Sequence, residues 1–131
     1  ITIVSEINGG GDQSIGYRAT VDSLQAHPNI RGIFAINDPS ALGAWDAIDE
    51  AKKAELISIV GFDGALAGKR AIAQGKIYAD PIQFPKKMGQ VIMEKFMAFQ
   101  SGEEYEQVEL IPTSLYRQAD AKSDPDLQLD Q

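Results

Sequence analysis

The amino-acid sequence predicts an α/β fold in which a parallel sheet carries helices on both faces. Strand-like and helix-like segments alternate along the chain, which is the pattern that successive βα units produce. The strand-like segments are apolar on both faces, as strands covered by helices on two sides must be. With 131 residues, 44% of them hydrophobic and 24% charged, the composition is that of one globular domain with a substantial core.

The first predicted unit is a strand over 1–7 followed by a helix over 12–26. β-branched residues fill most of the strand, and the glycines at 9–11 end it. Asp12 is a typical N-cap for the helix that follows.

The second predicted unit is a strand over 30–36 followed by a helix over 38–53. Asp38 is the expected N-cap, and Pro39 is the expected first helical residue. Apolar residues then recur every three or four positions, which indicates one buried helical face.

The remaining chain repeats this alternation and ends in a polar segment. Its predicted elements are strands at 56–62 and 77–83, helices at 63–75 and 85–101, an extended run at 108–116 and a frayed acidic tail from 119. The helix at 85–101 has a stripe of large apolar residues: Met88, Val91, Ile92, Phe96 and Phe99.

Charge and composition exclude several classes of function. A net charge of −7 disfavours binding to nucleic acid or to anionic lipid. The chain has no cysteine and a single histidine, His27, which we expect at the end of a helix. Disulfides, thiolate chemistry, Cys-based zinc sites and His clusters are therefore excluded, and we expect no cofactor.

The amino terminus begins directly with a predicted strand. It has no methionine and no signal-peptide pattern. We therefore expect either a processed precursor or a piece of a longer protein.

Polar residues follow the predicted strands where ligands bind to open parallel sheets, beyond the carboxyl ends. They are Asn8, Asn37, Asp38, Asp63 and Gln83. Amides and carboxylates without a cationic side chain suit the hydroxyl groups of a neutral sugar or polyol. Helix capping is the alternative role for Asp38 and Asp63, and a phosphate cradle is a weaker alternative for the glycines at 9–11.

Several motifs together resemble the carboxy-terminal part of ribose-type periplasmic sugar-binding proteins, the type I periplasmic binding protein class. The motifs are AHPNI at 26–30, IFAIND at 33–38, ALGA at 41–44, IVGFDG at 59–64, IQFP at 82–85 and MG at 88–89. The resemblance runs from about residue 1 to 118, in order and with matching spacing.

This resemblance implies roles for individual residues. Asn37, Asp63 and Gln83 match the family's ligand-binding residues. The implied hinge residues are Phe84, Pro85, Ile111, Pro112 and Thr113. The implied division is 1–84 as most of the ligand-binding lobe, 85–112 as the segment crossing to an amino-terminal lobe, 113–118 as the return strand, and 119–131 as a disordered acidic tail.

The chain departs from the family pattern in two places. Gly11 stands where ribose binders have a stacking aromatic residue, which favours another sugar or polyol. The amino-terminal lobe and the first strand and helix of this lobe have no counterpart here. The segment 86–110 would then expose its apolar stripe, so we predict a homodimer through this segment or a helix repacked on its own chain.

The resemblance implies a periplasmic binding module, without enzymatic turnover, that closes around a neutral sugar or polyol and docks on the membrane permease of an ABC importer. A first alternative is the effector-binding domain of a lactose-repressor-type regulator, although the residues from Gly64 to Ala67 fit the transport proteins better. A second is a small flavodoxin-like enzyme domain that uses Asp38 and Asp63 as an acid–base pair.

Overall fold

The computed structural model describes residues 1–128, which form two compact units. One unit comprises residues 1–82 and the chain from Leu115 onward, and the other comprises residues 83–114. The elements in chain order are α1 (Gln13–Ala26), β1 (Gly32–Phe34), α2 (Asp38–Glu50), β2 (Ser58–Val60), α3 (Leu66–Ala73), β3 (Ala79–Ile82), α4 (Pro85–Ser101), β4 (Ser114–Arg117), α5 (Gln118–Ala121) and a 3-10 helix (Pro125–Leu127).

The first unit is built on a four-stranded sheet with the order β1-β2-β3-β4. β1 pairs in parallel with β2, with Ile33 opposite Ile59, and β2 pairs in parallel with β3, with Val60 opposite Ala79. An isolated parallel bridge between Asp63 and Ile82 extends the second pairing. The predicted α/β class is confirmed, and the parallel strands end at one common edge.

α1 and α2 pack closely because glycine lies at their contact. A β-carbon on Gly43 would overlap the backbone of Gln13 and Tyr17, and one on Gly16 would lie 2.8 Å from the carbonyl oxygen of Ser40. Two side-chain hydrogen bonds flank the contact, from Gln13 to Asp46 (2.8 Å) and from Tyr17 to Glu50 (2.5 Å). α1 begins as predicted, since the carboxylate of Asp12 accepts from the backbone N–H groups of the first turn.

The hydrophobic core lies where α2 and α3 cover the strands. Its largest fully buried apolar side chains are Ile48, Ile59, Ile72 and Ile77. Smaller residues of α2, among them Ala41 and Ala44, fill the space beside them. Burial of each large aliphatic side chain contributes about 1.5–3 kcal/mol.

Residues 1–7 form no strand, contrary to the prediction. The apolar side chains of this segment, Ile1, Ile3, Val4 and Ile7, are all exposed to solvent. A strand needs a hydrogen-bonding neighbour, and the described sheet does not include this segment. β-branched residues with apolar side chains on both faces indicate that a segment can form a strand. They do not show whether a neighbouring strand is available to pair with it.

The acidic segment after residue 118 also differs from the prediction of a disordered tail. Residues 119–128 contain most of α5 and the 3-10 helix, while residues 129–131 of the predicted tail lie outside the described residues. Asp124 is buried, accepts a hydrogen bond from the hydroxyl of Tyr116 (2.7 Å) and pairs with Lys69 of α3 (2.9 Å). The acidic composition suggested disorder because the sequence alone does not show that Tyr116 and Lys69 bind Asp124.

The second unit consists of α4 and the chain that returns from it. α4 ends at Ser101 before Gly102, as predicted, and none of its residues is buried. Lys95 holds the return segment by donating to the carbonyl of Glu106 (2.6 Å) and pairing with Glu109 (3.2 Å). No helix within residues 1–128 has the length and apolar content needed to span a membrane.

Candidate functional site

Two of the predicted ligand-binding residues lie beyond the carboxyl ends of neighbouring parallel strands. Asn37 follows β1, and Asp63 follows β2. Because β1 and β2 run parallel, the two residues belong to the same edge of the sheet. Both are partly exposed, so they are accessible to a ligand.

Asn37 is fixed by two hydrogen bonds. Its Oδ1 accepts from the backbone N–H of Ser40 (3.0 Å), and its Nδ2 donates to the carbonyl of Gly11 (3.0 Å). Asn37 is therefore the N-cap of α2, whereas the sequence predicted Asp38 for that place. Asparagine and aspartate both cap well, and adjacent candidates are not separated by residue type alone.

Asp63 has an unusual backbone conformation, with φ at 99°. A residue other than glycine rarely adopts a positive φ, although aspartate does so more often than most. Such strained conformations cost about 1–3 kcal/mol and cluster at functional sites. The backbone N–H of Asp63 donates to the carbonyl of Pro81 (3.3 Å), which ties this turn to β3. The helix predicted to start at residue 63 begins only at Leu66, with Ala65 as its N-cap, so Asp63 does not cap it.

Asp38 is buried instead of capping its own helix. Its side chain is 1% exposed, and its Oδ2 accepts from the backbone N–H of Ala65 (2.5 Å), before α3. It therefore satisfies a donor at the start of a different helix. The alternative of an enzyme domain paired Asp38 with Asp63 as an acid–base couple. The burial of Asp38 disfavours that alternative, because its carboxyl is not exposed to a substrate.

Asp80 lies beside Asp38 and was not singled out from the sequence. It is fully buried in β3. Burial, followed by the neighbouring carboxyl of Asp38, raises the pKa of Asp80 to about 8. Burial also raises the pKa of Asp38, although the neighbouring carboxyl of Asp80 and the hydrogen bond from the backbone N–H of Ala65 oppose that rise. The only sequence signal was an acidic residue within an otherwise apolar strand.

The glycines at 9–11 contact the start of α2 through Gly11. This residue has a φ of 67°, which favours glycine, and its carbonyl accepts the hydrogen bond from Asn37. A β-carbon on Gly11 would lie 3.1 Å from Nδ2 of Asn37. The turn therefore supports Asn37 at the position where the resemblance implies an aromatic side chain.

Gln83 and the predicted hinge residues belong to the second unit. Gln83 follows β3 directly. Phe84 is the N-cap of α4, and Pro85 is the first residue of that helix. The hinge residues Ile111, Pro112 and Thr113 precede β4, so both predicted hinge stretches lie beside the boundaries between the two units. Their roles stay predictions.

Other candidate groups lie away from this edge. His27 is the C-cap of α1, as expected. Among residues 1–128, no three His, Cys, Asp or Glu side chains are close enough together to hold a metal ion.

Comparisons with known proteins give one consistent family. The model of a periplasmic binding protein domain matches residues 1–104. The ribose import binding protein of Salmonella typhimurium is 40% identical over 78 residues, which are 60% of this chain and 26% of that protein. The D-apiose import binding protein of Paraburkholderia graminis is 39% identical over 71 residues, covering 54% of this chain and 22% of that protein.

The fold comparison agrees. The crystal structure of an ABC transporter periplasmic solute binding protein from Actinobacillus succinogenes, with bound D-allose, superposes with a TM-score of 0.82 at 28% identity. The superposition covers 88% of this chain and 41% of that protein. The chain thus spans about a quarter of the length of the curated relatives that it matches.

Proposed function

The chain belongs to the periplasmic binding protein domain family, and we propose that it binds a neutral sugar or polyol as part of the substrate-binding component of an ABC importer. The observation that carries this proposal is the placement of Asn37 and Asp63 beyond neighbouring parallel strands. The two curated relatives, from Salmonella typhimurium and Paraburkholderia graminis, are import binding proteins and not enzymes. This supports a binding module without turnover.

The chemistry of the two residues fits hydroxyl groups. The amide of Asn37 uses one N–H and one lone pair within the fold, which leaves one further donor and one further acceptor for a ligand. Asp63 supplies a carboxylate, which accepts hydrogen bonds from hydroxyl groups when it is ionised. A sugar hydroxyl both donates and accepts, so an amide and a carboxylate together satisfy it.

Gln83, Phe84, Pro85, Ile111, Pro112 and Thr113 complete the proposal. Gln83 is the proposed third ligand-binding residue, and the other five are the proposed hinge. Closure at the hinge would enclose the sugar and create the surface that a membrane permease recognises. The import binding proteins among the relatives support this assignment and a periplasmic location.

An NMR titration of this chain tests the sugar site directly. We expect a neutral sugar such as D-allose or D-apiose to shift the backbone amide signals around Asn37 and Asp63, with a weak affinity because the chain matches only part of its relatives. D-ribose should shift them less, because Gly11 replaces the stacking aromatic residue of ribose binders. Asp63→Asn should abolish the shifts, and asparagine tolerates the positive φ at this position.

Glu55→Gln is the matched control. It also removes one carboxylate, but Glu55 is exposed and precedes β2, at the opposite end of the strand from Asp63. Sugar-dependent shifts that persist in Asp63→Asn, or their absence with a panel of neutral pentoses, hexoses and inositols, would contradict the proposed site.

A further inference from the structure

Two buried carboxyl groups, Asp38 and Asp80, have too few hydrogen-bond donors to be ionised together. Asp38 is 1% exposed and Asp80 is 0% exposed. No hydrogen bond of normal geometry reaches Oδ1 of Asp38 or either carboxyl oxygen of Asp80. The nearby backbone N–H groups of Gly61 and Gly64 lower the pKa of Asp80 and Asp38, respectively, but burial outweighs them and both pKa values are raised. Two adjacent ionised carboxylates in such a place would repel each other and carry a large desolvation cost.

The surroundings are shaped around these carboxyl groups. A β-carbon on Gly68 of α3 would overlap the carboxyl of Asp38, and one on Gly61, after β2, would overlap that of Asp80. Ala41 of α2 lies against Gly61. The charged group that faces the pair is Asp63, which raises the pKa of both carboxyls.

The pair connects the two segments that carry the proposed ligand residues. Asp38 directly follows Asn37, and its Oδ2 holds the backbone N–H of Ala65, two residues after Asp63. Asp80 belongs to β3, which bridges to Asp63 through Ile82. A hydrogen bond between the two carboxyls would therefore fix the start of α2 against β3 and the β2–α3 loop.

We propose that Asp38 and Asp80 share one proton, with Asp80 as the donor and Asp38 as the acceptor, and that this bond sets the spacing between Asn37 and Asp63. The single proton accounts for two of the three buried oxygens that lack a hydrogen bond, one on each carboxyl. Both residues are positioning residues and neither contacts the ligand. The consequence for binding rests on the sugar site proposed above, whereas the shared proton does not.

NMR titration of the aspartate carboxyl carbons tests the proton on the unmodified chain. We expect one aspartate carboxyl to titrate near pH 8, far above the ordinary range of about 4. Its signal should disappear in Asp80→Asn. The side-chain amide of Asn37 and the backbone amide of Ala65 should shift with the same midpoint. Titration of Asp80 below pH 5, or titration without any response of Asn37 and Ala65, would overturn the proposal.

Asp80→Asn separates positioning from folding. An asparagine amide donates to Asp38 at every pH, so Asn37 and Ala65 should keep their low-pH signals up to pH 9. A folded Asp80→Asn variant whose Asn37 signal still moves near pH 8 would contradict the inference.

Unfolding in urea provides a second measurement. Asp80 keeps its proton in the folded chain and loses it in the unfolded chain between about pH 4 and pH 8, so its contribution to stability falls as the pH rises through that window. Asp80→Asn should remove a change of about tenfold per pH unit in the unfolding equilibrium constant between pH 5 and 7. Glu55→Gln should leave that change in place.

The two proposals fail separately. A shared proton in a chain that binds no sugar would support this inference and contradict the proposed function. Sugar binding in a chain whose Asp80 is ionised at pH 6 would do the reverse.

Discussion

Asn37 combines a local and a long-range interaction in one side chain. Its acceptor caps α2 through Ser40, and its donor reaches the carbonyl of Gly11. An amide provides both functions at once, whereas a carboxylate or a hydroxyl provides only part of them in this geometry. The side chain is thus held rigidly, which in the proposed sugar site would lower the entropic cost of binding.

We predict that Asn37→Ala lowers the free energy of unfolding by about 2 kcal/mol, because both hydrogen bonds are lost. Asn37→Asp should cost about half as much, since it keeps the cap and loses only the donor to Gly11. Urea unfolding followed by the fluorescence of Trp45 measures these differences.

Asn29→Ala is the control for this series. Asn29 is exposed in the turn before β1, so its replacement should change stability by less than about 0.5 kcal/mol. Equal stability of Asn37→Ala and Asn29→Ala would mean that Asn37 does not hold the start of α2.

The helices α1 and α2 pack closely at the point where a glycine lets their backbones come into contact. Gly43 of α2 faces the backbone of Gln13 and Tyr17 in α1 with no space for a side chain. This contact lets two helices of modest apolar content cover each other. The ALGA motif at 41–44 therefore has a packing reason in addition to its place in the family pattern.

We predict that Gly43→Ala destabilises the chain by about 2–3 kcal/mol, because the added methyl group forces α1 and α2 apart. Gly89→Ala in α4 is the matched control. A β-carbon there meets no atom within 4 Å, and alanine favours a helix by up to about 1 kcal/mol. Thermal unfolding of both variants decides the prediction, which would be wrong if the two shifted the midpoint in the same direction.

Local signals placed most elements correctly, and the misses share a cause. The start of α1 at Asp12 and the end of α4 before Gly102 were predicted because capping depends on residues within one turn. The strand expected at 1–7 does not form, and residues 119–128 are not the disordered tail that was expected after 118. Strand pairing and the burial of Asp124 both depend on partners far along the chain.

At the scale of the whole molecule, α4 exposes a large apolar surface. Ile92, Met93, Phe96, Met97 and Phe99 are each at least half exposed. Three residues of the predicted stripe, Ile92, Phe96 and Phe99, belong to this surface, whereas Met88 and Val91 are only partly exposed. An exposed surface of this kind promotes association. The homodimer through the segment 86–110 stays a prediction.

Light scattering after size-exclusion chromatography tests the homodimer. We predict a dimer for the unmodified chain and a monomer for Phe96→Asp, because a buried charge at the interface is unfavourable. Gln100→Asp adds the same charge at another exposed site on α4 and should leave the dimer intact. A monomer at all concentrations would rule out association through α4.

The sequence by itself determined the α/β class, the order of the main elements, and Asn37 and Asp63 as candidates at the ends of parallel strands. These follow from periodicity, capping and turn residues, which act over a few positions. Only the tertiary structure decided that Asn37 and not Asp38 caps α2, that Asn37 bonds to Gly11, and that Asp38 meets Asp80. Those contacts join residues distant in the chain, so they depend on which strands become neighbours and on how burial changes the ionisation of a carboxyl group.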